Sequence, residues 1–216
     1  MAERRRVAAV AAAVAALLVL LSACGGAAPS GGGSFAGRVV TPPFDVASTS
    51  LTDTERQPYE LRSSSGKRLT LAFFGYTHCP DICGLVMGNL AAAMTRLDAQ
   101  DRANVQVVFV TTDPARDDPT TLRRYLDRLD PSFEGLTGDL DAIVALGRSV
   151  AVGVTDGQRL PTGGYDLNTH STQVTGIAQD GSAPVYWSQS TSAAQYAADI
   201  HTYLAQGLPS PSGGTS

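Results

Sequence analysis

The 216-residue sequence is poor in cysteine and histidine, with three of each. Three cysteines are too few for the disulfide framework of a small secreted scaffold, so the fold must rest on a hydrophobic core. A large excess of either charge is also missing. The formal net charge is −4, and because Arg4, Arg5 and Arg6 sit at the N-terminus, the remainder is more acidic still. No basic, phosphate-seeking stretch is present, so no nucleic acid is expected as a partner. At 43% hydrophobic and 17% charged, the chain has the composition of a globular protein, which excludes a disordered or collagen-like chain.

Long apolar runs are lacking, with one exception. Val7–Leu21 follows the three arginines and leads into Ser22-Ala23-Cys24. As a helix it rises about 22 Å at about 1.5 Å per residue, short of the ~30 Å hydrocarbon core, so residues 1–23 read as a signal peptide rather than a permanent span. Leu21-Ser22-Ala23-Cys24 resembles a bacterial lipoprotein cleavage box, in which the cysteine becomes the lipid-bearing first residue. Ordinary cleavage near Ala23 is the other reading; it leaves Cys24 as an exposed thiol, a liability in an oxidising compartment. Residues 24–36, rich in Gly, Ala, Ser and Pro, read as a flexible, lipid-anchored linker, and ten residues of such coil span about 17 Å. Residues 207–216 have similar composition and read as a disordered tail. Residues 37–206 remain as one domain.

Within that domain strand and helix patterns alternate. The apolar runs Leu69–Tyr76 and Val105–Thr111 predict two buried strands. Between them Cys83, Met87, Leu90, Met94 and Leu97 recur at steps of four and three, which predicts a helix burying one face. The two methionines on that face read as core packing. Asp118-Pro119 reads as an N-cap and first helical residue, followed by the stripe Leu122, Tyr125, Leu126 and Leu129. Further helices are expected over 139–150 and 192–204, and a hairpin over 173–188 turning near Asp180-Gly181. This order predicts an α/β fold, a central sheet with helices on both faces.

With Cys24 assigned to the leader, Cys79 and Cys83 remain, in Cys79-Pro80-Asp81-Ile82-Cys83 between the first buried strand and the first long helix. Ligands of open α/β sheets bind beyond the carboxyl ends of strands. With Cys79 as cap and Pro80 as first helical residue, the two sulfurs fall one turn apart on one side. Three readings stay open. A stabilising disulfide closing so short a loop is worth only about 2 kcal/mol. A reversible dithiol uses the same pair. A soft metal site suits copper(I), or copper(II) with a nitrogen added, whereas structural zinc wants a fourth ligand that is not evident. The histidine candidates are His78, beside the pair; His201, on the last helix and read as solvated; and His170, in the polar loop Asn168–Thr172 before a strand. Asp113, ending the second strand, reads either as a residue reaching the site behind its ligands or as a turn-forming Asp-Pro.

Phe74-Gly75-Tyr76-Thr77-His78-Cys79-Pro80-Asp81-Ile82-Cys83 resembles the signature of the SCO/SenC family. The likeness continues through Thr112–Pro119, Phe133–Gly138 and His170-Ser171, departing where Gly84 stands in place of the family's usual proline. The resemblance implies a thioredoxin-like fold, a central mixed sheet flanked by helices, and copper held by Cys79, Cys83 and His170. It also implies delivery of copper to, or maturation of, the dinuclear copper centre of cytochrome c oxidase subunit II, with a copper donor protein upstream. The alternative is a thiol-disulfide oxidoreductase that keeps cysteines of that subunit or another protein reduced, using Cys79 and Cys83. Either role belongs on the extracytoplasmic face of a bacterial membrane, with Cys24 as the anchor.

Overall fold

Two largely apolar strands, Leu69–Gly75 and Val105–Thr111, pair side by side in the main sheet, and every residue in them but Gln106 is buried. The structure is a computed structural model and describes residues 34–63, 65–167 and 172–209, so Cys24 and His170 lie outside the described residues. In chain order the strands and helices are β1 (Arg38–Asp45), β2 (Ser50–Thr52), β3 (Pro58–Glu60), β4 (Leu69–Gly75), α1 (Ile82–Met94), α2 (Ala99–Ala103) and β5 (Val105–Thr111). They continue with α3 (Pro119–Leu126), β6 (Glu134–Leu136), α4 (Leu140–Ser149), β7 (Gln158–Arg159), β8 (Tyr165–Asp166), β9 (Val174–Ala178), β10 (Ser182–Trp187) and α5 (Ala193–Gln206).

The main sheet has the order β1-β10-β9-β4-β5-β6. It is mixed: β4, β5 and β6 run parallel, while β9 is antiparallel to β4 and β10, and β10 to β1. Alternation along the two central strands divides the core. Leu69, Leu71 and Phe73 with Val105, Val107 and Phe109 face α1, α3 and α5, and Ala72 and Phe74 with Val108 and Val110 face α4. Met87 and Met94 are buried in the first of these layers, as their spacing predicts. Asp118 caps α3 by accepting from Thr121 N–H at 2.7 Å, with Pro119 as the first residue. Gly181 takes φ +80° in the turn between β9 and β10, a conformation that favours glycine.

Three features depart from the sequence reading. β1 carries Pro42 and Pro43 and still pairs with β10, because it is the outermost strand and its register breaks between Val39 and Phe44. The short elements β2, β3, α2, β7 and β8 have no periodic signal to announce them. Phe35 and Ala36, assigned to the linker by composition, pack on the domain: the Phe35 ring lies 6.2 Å from that of Trp187. Buried Asp199 fixes this contact, accepting from Ala36 N–H (2.9 Å), Gly37 N–H (2.8 Å) and Trp187 Nε1–H (2.8 Å). Among the described residues no helix is long and apolar enough to cross a membrane.

Candidate metal centre

β4 ends at Gly75, and the chain turns once before α1, with Cys79 N–H donating to Tyr76 O at 3.2 Å. The helix starts at Ile82, two residues later than the sequence predicts, and its N-cap is Asp81, whose side chain makes no capping bond. A sulfur takes over that task. Cys83 N–H, one of the helix's unpaired first-turn donors, points to Cys79 Sγ at 3.4 Å. The corrected helix start therefore keeps both cysteines together, one in the turn and one in the first helical turn.

The two cysteines are reduced, Cys79 half-buried and Cys83 buried. Gly75 makes room for the second: a Cβ at Gly75 would stand 2.8 Å from Cys83 Sγ and 3.0 Å from the Phe73 ring. The hydrogen bond with Cys83 lowers the Cys79 pKa to about 6 against its partial burial, with backbone N–H groups helping. Cys83 is pushed upward, first by its bond with Cys79 and then by burial. One proton is thus shared unequally, leaving the outer sulfur as the thiolate.

The loop before Cys79 hangs on Asp117. This buried carboxylate accepts from Thr77 N–H (2.9 Å), Thr77 Oγ1–H (2.6 Å) and Thr111 Oγ1–H (2.7 Å). Sequence reasoning missed it, having selected Asp113, four residues earlier. Asp113 is also buried, and its carboxylate accepts from Arg116 Nε–H (2.5 Å) and Thr162 Oγ1–H (2.7 Å). It ties the β5–α3 turn to the segment that leads toward residue 170.

That segment reaches the cysteines. Thr112 Oγ1–H donates to Tyr165 O at 2.6 Å, and Tyr165 N–H to Thr112 O at 2.9 Å. The Asp166 carboxylate, hydrogen-bonded to Tyr76, opposes ionisation of both Cys79 and Cys83. Burial, Asp166 and then Cys79 push the Tyr76 hydroxyl up, and the Arg116 guanidinium lies 5.9 Å from the Tyr76 ring centroid. After residues 168–171 the chain rejoins β9, where Val174 pairs with Phe73 near the carboxyl end of β4. Leu167 is buried, and Gln173 Nε2–H donates to Val150 O at 3.1 Å.

His78 is exposed, with Nδ1 3.0 Å from Thr77 Oγ1. His201 is also exposed and stands far along α5, its Nδ1 2.6 Å from Asp101 Oδ2. Asp98, Asp101 and His201 bring one ligand atom each within 4.8 Å of one another. The Asp98 carboxylate there caps α2, accepting from Asp101 N–H at 2.8 Å. The donor set at the cysteines is different in kind: two sulfurs, one ionised at neutral pH, at the carboxyl end of a buried parallel strand. Such a set suits a soft ion or a disulfide exchange.

The SCO1/SenC family model matches residues 41–205, more than half of the chain. The chain is similar to the mouse mitochondrial protein SCO2 homolog, 32% identical over 157 residues, which are 72% of this chain and 61% of that protein. It therefore spans about three fifths of the length of that relative. Among solved structures it resembles Bradyrhizobium japonicum ScoI with copper bound, at 32% identity and a TM-score of 0.62, over 73% of this chain and 98% of the other. A SCO1/SenC family lipoprotein from Bacillus anthracis shares the fold at 20% identity and a TM-score of 0.60, over 74% and 94% of the two chains.

Proposed function

Because the chain belongs to the SCO1/SenC family, we propose that it binds one copper ion through Cys79, Cys83 and His170 and passes it to the dinuclear copper centre of cytochrome c oxidase subunit II. The observation that carries this reading is the pair of reduced sulfurs held together, with Cys83 N–H pointing to Cys79 Sγ at 3.4 Å and Cys83 seated against Gly75. Copper is cargo, so the site must hold it without enclosing it, and a half-buried Cys79 leaves one side open to a recipient. Binding displaces the proton still held by Cys83, which makes affinity rise with pH. Support for the metal comes from ScoI, a relative with copper bound. Support for His170 comes from the chain on both sides of it: Asp166 faces the sulfurs, and β9 begins beside the end of β4.

The leader, a lipid on Cys24 and the linker would hold the domain at the extracytoplasmic face of the membrane, near a membrane-bound recipient. A copper donor protein would load it there.

The ionised Cys79 and protonated Cys83 also favour a second reading, that of a dithiol reductant. Cys79 thiolate attacks one sulfur of a partner disulfide, forming a mixed disulfide and releasing one partner thiolate. Cys83, giving up its proton, then attacks Cys79 Sγ, forming the Cys79–Cys83 disulfide and releasing the second thiolate. Two electrons pass to the partner.

Copper(I) titration of the reduced full chain, followed by transfer to an apo-subunit, tests the first reading. Cys79→Ser and Cys83→Ser are each expected to abolish tight binding, and His170→Ala to weaken it and change its spectrum. Unaltered stoichiometry and spectrum in His170→Ala would overturn the three-ligand site.

A further inference from the structure

A groove of about 290 Å³ opens beside the cysteine loop, between Thr77 and His78 on one wall and Thr121, Arg124, Tyr125 and Arg128 on the other. It adjoins the site. Thr77 and His78 directly precede Cys79, and the Tyr125 ring packs on Phe109 at 5.4 Å between centroids. Burial raises the Tyr125 pKa first, and then Cys83 and Cys79, which places the ring within electrostatic reach of both sulfurs.

Its charge is opposite to that of the chain as a whole. Arg124 and Arg128 are both exposed, and among the described residues neither forms a salt bridge. The neighbouring carboxylates are engaged elsewhere: Asp118 caps α3 through Thr121 N–H, and Asp127 accepts from Arg123 Nε–H at 2.8 Å. The Arg128 guanidinium lies 5.8 Å from the Tyr125 ring centroid, a contact that keeps it beside the groove. His78 stands at the rim, its Nδ1 3.0 Å from Thr77 Oγ1 and 4.0 Å from Asp117 Oδ1. On a protein of net charge −4, two exposed guanidinium groups without a salt bridge stand together beside the reactive sulfurs.

We propose that the groove docks an acidic, extended segment of the protein that exchanges cargo with Cys79 and Cys83, with two carboxylates of that segment taken by Arg124 and Arg128. The proposal rests on the reading that the cysteines serve a protein partner, whether by copper transfer or by thiol exchange. The spacing defines the partner further. Arg124, in the last turn of α3, and Arg128, two residues past its end, are four positions apart and both line the groove, and alternate residues of an extended chain lie about 6.6 Å apart on one face, within the span of two long arginine side chains. An acidic residue at every second position therefore meets both guanidinium forks, each able to take a carboxylate with two parallel bonds.

The test uses the purified full chain and a rhodamine-labelled octapeptide alternating glutamate and glycine, followed by fluorescence anisotropy at about 20 mM and about 150 mM salt. The wild-type chain is expected to bind this peptide and not its lysine-glycine counterpart, several-fold more tightly at low salt. Combining Arg124→Glu with Arg128→Glu is expected to weaken binding at least tenfold. Arg96→Glu, the same charge reversal on an exposed residue just past α1, is expected to leave it within twofold. Four results overturn the proposal: no binding by the wild type, equal binding of the lysine peptide, unchanged affinity in the double variant, or arginine-dependent binding to phosphatidylglycerol vesicles with the peptide unaffected. Copper(I) titration of the same proteins separates the two readings. A wild type that fails to bind copper sinks the copper function, whereas a double variant that binds copper and the acidic peptide as the wild type does sinks the groove.

Discussion

Asp117 holds Thr77 at two points at once, accepting from its backbone N–H at 2.9 Å and from its hydroxyl at 2.6 Å. Thr77 stands two residues before Cys79, so this carboxylate sets where the turn beneath the sulfur begins. An amide at this position keeps one acceptor oxygen and brings an NH₂ group against donors. Asp117→Asn is therefore expected to cost about 3 kcal/mol in urea unfolding, the range for lost charge-assisted bonds and a stranded buried donor. Copper affinity is expected to fall with it, while Asp113→Asn, which loosens a different segment, should alter the two measurements in different proportion.

Two glycines of the site should respond in opposite directions to the same substitution. Gly75→Ala drives a methyl to 2.8 Å from Cys83 Sγ, and overpacking of this kind costs about 1–3 kcal/mol. It is expected to displace the sulfur and weaken copper binding at least tenfold. Nothing stands within 4 Å of a Cβ at Gly84, which is exposed in the first turns of α1. Gly84→Ala should raise stability by about 0.5–1 kcal/mol and leave copper binding unchanged. Thermal melts with copper titrations check both.

The two thiols should titrate far apart. With the Cys79 pKa lowered to about 6 by its bond with Cys83, iodoacetamide is expected to modify Cys79 at a rate that rises through about pH 6 and then levels, with Cys83 spared. Cys83→Ala removes the largest cause of the shift, so the midpoint should move up toward the ordinary thiol value. The sign for stability follows from the same direction. The folded state holds the Cys79 proton more weakly than the unfolded chain, so this contribution is present above the unfolded pKa and is lost as pH falls through about 6. Mass spectrometry of alkylated peptides across pH reads the outcome.

His201 should give a small effect of opposite sign. Its bond to Asp101 raises its pKa, largely at the surface. The pair's contribution is fully present below the unfolded pKa near 6.5 and is lost as pH rises through the higher folded value. An exposed pair of this type is worth about 1 kcal/mol or less. His201→Gln is expected to lower the urea midpoint slightly at pH 5.5 and not at pH 9, a comparison of two denaturation curves.

Much of this architecture was legible because burial writes a period into the sequence. Val105–Thr111 forms β5 over the range its apolar run predicts, and the Asp118-Pro119 cap of α3 is where the residue chemistry requires it. The start of α1 was less legible: the sequence reads Cys79 as the cap and Pro80 as the first helical residue, whereas the helix opens at Ile82 after Asp81 and keeps from that reading only the bond from Cys83 N–H to Cys79 Sγ. Asp113 and Asp117 look alike in sequence, both in one polar loop; only the fold reveals that Asp117 carries the cysteine loop and Asp113 the opposite one. β1 was hidden by its prolines, which argue against a strand unless it lies at a border. The groove beside Tyr125 has no linear signature, because its two walls are formed by segments separated by the whole of β5.

The sheet's borders have a consequence for self-association. On one side β1 presents two prolines and a broken register, and on the other β6 is only three residues long. Neither offers the continuous row of free amides and carbonyls on which a second copy would template itself. Crowding of such molecules should not extend the sheet from one copy into the next.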